Sequence, residues 1–141
     1  MSVTKRVHAV DGLLEETRDG PRLLGSKCGG CGAAYFPRDS VCHNPTCDAP
    51  AMQDVRFGPT GKVWSFAVQN YAPPPPVLTR DPYRPYAVGV VDLDDGLRVM
   101  SRIDVDDPMK VEVGSEVELV TGALCADDDG NDIVTWMFRP V

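Results

Sequence analysis

The sequence predicts a mainly β protein in which a small cysteine-rich module precedes a five-stranded barrel. Three observations support this prediction. Four of the five cysteines fall between residues 28 and 47, thirteen glycines and thirteen prolines occur in 141 residues, and five strand-like runs follow Gly58. Glycine and proline at this density favour turns and short strands over long helices. A chain of this length can bury one modest core and carry an appended module.

Residues 1–21 are predicted to form a peripheral arm, because their composition is mixed and polar. One short helix is expected within "VDGLLEETRDG", where Asp11 can cap the N-terminus and Gly20 can end the helix. The boundaries predicted for the rest of the chain are 22–57 for the cysteine-rich module and 58–141 for the barrel.

The cysteine-rich module has the layout of a zinc ribbon. "RLLGSKC" is predicted to be a strand that enters the first cysteine pair, "AAYFPRDSV" the strand that leaves it, and "AMQDVRF" a third strand after the second pair. Glycines around the first pair allow the tight turn that brings backbone amides to charged sulfurs. The two pairs are Cys28-x2-Cys31 and Cys42-x4-Cys47.

These four cysteines are predicted to hold a structural zinc ion. Four thiolates saturate a tetrahedral site and leave no position for water or substrate. Metal-binding energy would then stabilise a module that is too small to have its own core. A rubredoxin-like iron site, disulfides and reactive thiol chemistry are the alternatives, and an odd number of cysteines does not suit complete disulfide pairing. His43 is a competing ligand, but it is adjacent to Cys42, and neighbouring side chains rarely chelate one ion.

The predicted barrel is of the small, partly open Greek-key OB type, since about 80 residues cannot form a large sandwich. Its strands are "GKVWSFAVQNY", "YAVGVVDL", "LRVMSRIDV", "SEVELVTGALCA" and "DIVTWMFRPV". The turns "DDG" and "DDDGND" predict that strands two and three, and strands four and five, pair as hairpins. The expected core residues are Trp64, Phe66, Val88, Val90, Val99, Ile103, Val117, Leu119, Ile133, Val134, Trp136 and Phe138.

The connection "YAPPPPVLTRDPYRPY", residues 71–86, contains six prolines and favours a stiff, extended path. Its tyrosines and arginines offer stacking surfaces beside positive charge, which suits a nucleotide-containing ligand or a partner protein. The alternative is a rigid connection that covers one end of the barrel. The candidate residues are Tyr71, Arg80, Tyr83, Arg84 and Tyr86.

Other motifs predict no chemistry. Cys125 has no nearby histidine to activate it and is expected to be an inert thiol. "GPTGK" lacks phosphate-loop spacing, "DDDGND" has Phe138 where a calcium loop needs Glu, and "DVDDPMK" suggests a loop or short helical turn at Pro108. No apolar run approaches a membrane span, and the N-terminus lacks a secretory signal, so a cytoplasmic location is expected.

In combination and order, several motifs resemble a family of acyl-CoA-associated proteins that join an N-terminal zinc ribbon to a C-terminal OB fold. The resemblance covers about residues 20–141, and "CHNPTC" and the proline-rich loop are most similar to small subunits of benzoylsuccinyl-CoA thiolases. It implies a non-catalytic partner of a thiolase-fold subunit that helps to bind acyl-CoA. The carrying motifs are "LLGSKCGGCGAAYFPRDSVC", "GKVWSFAVQNYAPPP", "PYAVGVVDLDDGLRVMSRI", "VGSEVELV" and "TWMFRPV".

Three functions are therefore weighed: a thiolase-type partner subunit that positions acyl-CoA, a nucleic-acid-binding module, and a stand-alone zinc enzyme. Residues 57–141 carry seven Lys and Arg against fourteen Asp and Glu, which disfavours phosphate-backbone binding. Closed coordination disfavours a zinc enzyme. The chain also shows no assembled acid, base and nucleophile of its own. Arg22, Lys27 and Arg38 are the expected contacts of the CoA phosphates.

Overall fold

The computed structural model describes residues 6–10, 12–74 and 82–141, and in these ranges it confirms the mainly β prediction. The described residues form strands, one short 3-10 helix (Pro108–Lys110) and no α-helix, and no helix among them could cross a membrane. The strands are β1 (Arg6–His8), β2 (Leu14–Thr17), β3 (Gly20–Cys28), β4 (Ala34–Tyr35), β5 (Met52–Phe57), β6 (Thr60–Gln69), β7 (Tyr86–Leu93), β8 (Arg98–Ile103), β9 (Glu116–Ala126) and β10 (Asp132–Pro140).

The ribbon sheet is built around β3, which pairs antiparallel with β2 and β4 on one edge and with β5 on the other. The helix predicted before β3 is wrong. Leu14 pairs with Leu23 and Thr17 with Gly20, so this segment is one strand of a tight hairpin. Gly20 has a φ of 107°, which serves the hairpin turn rather than a helix end. The proposed cap, Asp11, lies outside the described residues.

The barrel consists of β6 to β10, and both predicted hairpins, β7–β8 and β9–β10, are confirmed. β6 pairs with β7 and β9, and a short parallel pairing of β10 with β8 closes the barrel. This strand arrangement is that of an OB fold. β1 adds to the barrel sheet, because it lies parallel to residues 132–134 of β10.

Several residues predicted to lie in the core are on the outer face of the barrel or are only partly buried. On β7, Val91 is completely buried, whereas Val88 and Val90 lie on the outer face and are half-buried. Trp64 is 54% exposed, because it follows the buried Val63 in the alternation of β6 and therefore lies on the outer face. Phe66, Ile133 and Trp136 are partly buried. The remaining predicted core residues are buried: Val99, Ile103, Val117, Leu119, Val134 and Phe138.

The ribbon and the barrel share one hydrophobic core, which the sequence did not predict. Leu23 and Phe57 pair across β3 and β5, are completely buried, and belong to the same cluster as the barrel residues. A Cβ at Gly25 would lie 2.6 Å from the Phe57 ring, so only glycine fits beneath it. Phe36 of the ribbon also packs edge-on against Trp136 of the barrel, with 5.2 Å between ring centroids.

Phe57→Ala should therefore lower the free energy of unfolding by about 3–5 kcal/mol, because it opens a cavity where the ribbon joins the barrel. Denaturant unfolding followed by tryptophan fluorescence measures this loss. Tyr71→Ala is the control: the Tyr71 side chain is 83% exposed, and its removal should change the free energy of unfolding by less than about 0.5 kcal/mol. Equal effects of the two substitutions would contradict a shared core.

Candidate metal centre and ribbon surface

The four predicted cysteine ligands come together at one end of the ribbon sheet. Their sulfurs lie within 4.8 Å of one another, with 3.8 Å between Cys28 and Cys47 and 3.6 Å between Cys31 and Cys42. A tetrahedral site with zinc–sulfur bonds of about 2.3 Å places its sulfurs about 3.8 Å apart. The spacing of the four sulfurs therefore fits a single ion that they enclose completely.

Backbone hydrogen bonds shape the first cysteine turn. Gly32 N–H donates to the carbonyl oxygen of Cys28 at 2.7 Å, and Cys28 N–H donates to that of Ala33 at 2.9 Å. Gly32 has a φ of 80°, and a Cβ at Gly30 would lie 2.0 Å from the carbonyl oxygen of Ala49. Glycine is thus required at both positions for the turn to close against the segment that carries Cys47.

A side-chain-stabilised turn closes the wider second pair. Cys47 N–H donates to the carbonyl oxygen of Asn44 at 3.1 Å. The Asn44 side-chain oxygen accepts from the backbone N–H and the hydroxyl of Thr46. The four residues between Cys42 and Cys47 form this compact turn, so the unusual spacing still brings both sulfurs to the cluster.

The thiols of the cluster differ in how readily they ionise. The Ala51 N–H lies 3.5 Å from the Cys28 sulfur and is the main cause that lowers the pKa of Cys28 to about 6. Burial raises the pKa of Cys47 to about 12. Four negative sulfurs at this spacing repel one another, and a bound divalent cation offsets that repulsion and deprotonates the remaining thiols. The donor set therefore fits a closed metal site.

A tyrosine and a histidine support the cluster from outside. The Tyr35 hydroxyl lies 3.6 Å from the Cys42 sulfur and accepts from His43 N–H at 2.9 Å. The Nε2 atom of His43 is 2.5 Å from a carboxylate oxygen of Asp39, and 61% of its side chain is exposed. His43 thus pairs with Asp39 and is not one of the clustered ligands. Tyr35 is an outer contact that the cysteine spacing did not predict.

Two adjoining clefts lie on the face of the ribbon sheet that carries Arg22. One contains Arg22 and Arg56, the other contains Arg38 and Arg56, and both include Glu15. Arg56 pairs with Glu15 at 2.5 Å, and Arg38 lies 3.6 Å from Asp54. The structure thus brings two of the three predicted CoA contacts to one surface.

The third predicted CoA contact, Lys27, is separated from the other two. It lies five residues after Arg22 on β3, and side chains alternate between the faces of a strand, so it lies on the opposite face. Arg56 was not among the residues predicted to contact CoA. The register pairs Arg56 with Leu24, and this pairing places it on the Arg22 face.

The described part of the proline-rich loop is anchored rather than open. The Tyr83 hydroxyl donates to the carbonyl oxygen of Gln69 at 2.6 Å, and its ring packs edge-on against Tyr86. Burial raises the pKa of Tyr83. Tyr71 is 83% exposed, Arg84 is exposed in a cleft beside Tyr86, and Arg80 lies outside the described residues.

The motifs that were predicted to have no chemical role contribute to strands, turns and a short helix. Cys125, on β9, pairs with Ile133 of β10 and lies outside the sulfur cluster. Asp127 caps the last hairpin turn, because its carboxylate accepts from the N–H groups of Asp129 and Asn131. "DVDDPMK" contains the 3-10 helix, with Asp107 as its N-cap.

Comparison with known proteins assigns both halves of the chain. Residues 18–53 match the family model described as ChsH2, rubredoxin-like zinc ribbon domain, and residues 54–122 match ChsH2, C-terminal OB-fold domain. A DUF35 domain-containing scaffold protein of Methanothermobacter thermautotrophicus is 36% identical over 120 residues, which are 84% of this chain and 86% of that protein.

Two further relatives belong to enzyme complexes. Benzoylsuccinyl-CoA thiolase subunit BbsA of Thauera aromatica is 31% identical over 131 residues, which cover 92% of this chain and 85% of BbsA. A chain of the solved Ltp2-ChsH2(DUF35) aldolase superposes with a TM-score of 0.61 at 28% identity and covers 84% of both chains. The zinc ribbon and OB fold predicted from the sequence are confirmed.

The cysteine cluster predicts one zinc ion per chain and its loss in Cys42→Ser. That substitution removes a thiolate from a closed site whose binding free energy in such modules is about 10–16 kcal/mol. Metal analysis of the purified chain and a chelator competition would measure zinc content and affinity. Cys125→Ser is the matched control, since Cys125 lies outside the cluster, and it should keep full zinc. Unchanged zinc affinity in Cys42→Ser would contradict the four-sulfur site.

Proposed function

Because this chain belongs to the ChsH2 family of proteins that join a rubredoxin-like zinc ribbon to an OB fold, we propose that it is the non-catalytic subunit of a CoA-dependent thiolase-type complex. A thiolase-fold subunit supplies the catalytic cysteine and histidine in this proposal. The present chain binds that subunit and helps to position the acyl-CoA for carbon–carbon bond cleavage.

The closed sulfur cluster is the observation that carries the proposal. Four sulfurs within 4.8 Å leave no coordination position for water or a substrate carbonyl, so zinc held there stabilises the fold and activates nothing. The fifth cysteine, Cys125, lies on β9, pairs with Ile133 of β10 and is not part of the sulfur cluster. The relatives named as a scaffold protein and as a thiolase subunit support the same role.

We place the CoA phosphates on the ribbon face that carries Arg22, Arg38 and Arg56. Arginine binds phosphate through paired N–H donors, and the two clefts on this face bring the three guanidinium groups close to the surface. Arg38 and Arg56 are exposed, and their carboxylate partners Asp54 and Glu15 are also partly exposed, so these ion pairs can exchange for phosphate contacts at small cost.

The acyl group is assigned more narrowly from the similarity to BbsA, a benzoylsuccinyl-CoA thiolase subunit that matches 92% of this chain. We propose a bulky aromatic acyl-CoA of the benzoylsuccinyl type as the substrate of the complex. A comparison of thiolysis rates for benzoylsuccinyl-CoA and for a straight-chain 3-oxoacyl-CoA tests this assignment separately from the subunit role.

Co-expression with a thiolase-fold subunit from the source genome should yield a stable complex, and thiolysis should require both chains. Size-exclusion chromatography with light scattering measures assembly, and release of the product CoA ester measures activity. The isolated chain is expected to be inactive. Full thiolysis by the thiolase-fold subunit alone, together with no assembly, would exclude the proposed role.

Within that complex, Arg22→Glu and Arg38→Glu should each raise the KM for acyl-CoA about tenfold and leave kcat nearly unchanged. Loss of a charge-assisted contact made equally in the ground and transition states has this kinetic signature. Lys27→Glu provides the comparison across β3, since it makes the same charge change on the opposite face. Lys27→Glu should leave the KM unchanged, and an unchanged KM in both Arg22→Glu and Arg38→Glu would show that the Arg22 face does not bind CoA.

A further inference from the structure

The outer face of β6, β7 and β8 has an apolar centre that the proposed CoA site does not use. Trp64 is 54% exposed and Met100 is 65% exposed, although both lie in strands of the barrel. Val90, on the outer side of β7, lies opposite Met100, and Val88, on the same side of β7, lies between Ala67 and Arg102. Both valines are half-buried. We call these four side chains, with the charged residues around them, the Trp64 face.

Trp64 is held in place by an organised ion pair. The guanidinium of Arg98 lies 4.2 Å from the centroid of the Trp64 ring. Its N–H groups donate to both carboxylate oxygens of Asp92, at 2.6 and 3.1 Å. Three exposed side chains of different types are therefore fixed before any partner arrives. Such preorganisation lowers the entropic cost of binding.

The charge on this face is opposite to that of the rest of the barrel. On β6 to β8 the outward charged residues are Lys62, Arg98 and Arg102 against Asp92, and Glu116 of β9 is the cross-strand partner of Lys62. The net charge of these five residues is positive, whereas residues 57–141 as a whole carry seven cations and fourteen carboxylates. An apolar centre rich in Trp, Met and Arg, with a cationic rim, is the composition of a protein-binding surface. Its complement is an apolar patch bordered by Asp and Glu.

The same features fit nucleic acid less well. One face of the Trp64 ring is covered by Arg98, and one face of the Tyr86 ring is covered by Arg102 at 3.7 Å, so each ring offers less surface for a stacking base. The carboxylate of Asp92 lies beside the guanidinium of Arg98, where a phosphate would be repelled. The acidic barrel adds to this repulsion.

We infer that the Trp64 face docks the catalytic subunit of the complex, through an apolar patch on that subunit bordered by Asp and Glu. This inference rests on the proposed function, because it names the surface through which the proposed subunit binds. The Trp64 ring, held by Arg98, fills the centre of the contact, Met100 packs beside it, and Lys62 pairs with the partner's carboxylates at the rim.

The test measures the dissociation constant of the co-expressed complex for Trp64→Ala and Met100→Lys. Each substitution should weaken binding at least about tenfold, the effect of removing a central contact residue. Raising the ionic strength from about 0.05 M to about 0.5 M should slow association of the unsubstituted chain, because the rim charges steer the encounter. Zinc content and thermal unfolding of each variant show that the fold is intact.

Met109→Lys is the matched control. Met109 is 74% exposed but lies in the 3-10 helix and is not one of the outward residues of β6 to β8, so the substitution should change the dissociation constant by less than twofold. Wild-type affinity in both Trp64→Ala and Met100→Lys would overturn the docking surface and leave the proposed function standing. Absence of any complex with the unsubstituted chain would overturn both. Tight binding of a labelled oligothymidylate that Trp64→Ala abolishes would assign this face to single-stranded nucleic acid instead.

Discussion

The pairing of Leu23 with Phe57 across β3 and β5 is the interaction on which the rest of the structure depends. Both side chains are completely buried in the cluster that also forms the barrel core, so the ribbon is packed as part of the barrel. β3 then continues from this core to Cys28, the first sulfur of the cluster. The same strand joins the hydrophobic core to the metal centre, and its alternation places Arg22 on the face away from Leu23.

Most of the strands could be predicted from local features of the sequence, namely apolar runs and the turn residues beside them. β7 lies at Tyr86–Leu93, as its run of apolar residues predicted, because Pro85 precedes it and an Asp-Gly turn follows it. The helix predicted before β3 failed for a tertiary reason. Its residues are satisfied by pairing with β3, and a single segment of mixed polarity does not reveal that a strand lies beside it. The inward positions of β7 were predicted wrongly because valines occupy both of its faces. Trp64 was misplaced because the register shift between Val63 and Ser65 puts Trp64 and Phe66 on different faces, where regular alternation would place them on the same one.

The metal centre could also be predicted from local sequence, whereas the contacts around it depend on residues that are distant in sequence. Cysteine spacing identified the sulfur cluster, since two close pairs bring four thiolates together almost regardless of the surrounding fold. The contact of Tyr35 with Cys42 and the place of Arg56 beside Glu15 depend on strand register, which one sequence does not specify. Lys27 was predicted to share a site with Arg22 because the two are close in sequence. They are five residues apart on β3, however, and therefore lie on opposite faces of the strand.

The shared core also determines how a chain with a closed metal site can influence catalysis. Tilting the ribbon against the barrel would expose Leu23 and Phe57, and burial of two such side chains contributes about 3–6 kcal/mol. The contact between Phe36 and Trp136 opposes the same motion. The proposed CoA surface lies on the ribbon and the proposed docking surface lies on the barrel, so this packing keeps the distance between them constant. A CoA ester bound to the ribbon and a catalytic subunit bound to the barrel are then held at a fixed distance from each other. This chain can therefore position the acyl-CoA without supplying a catalytic group.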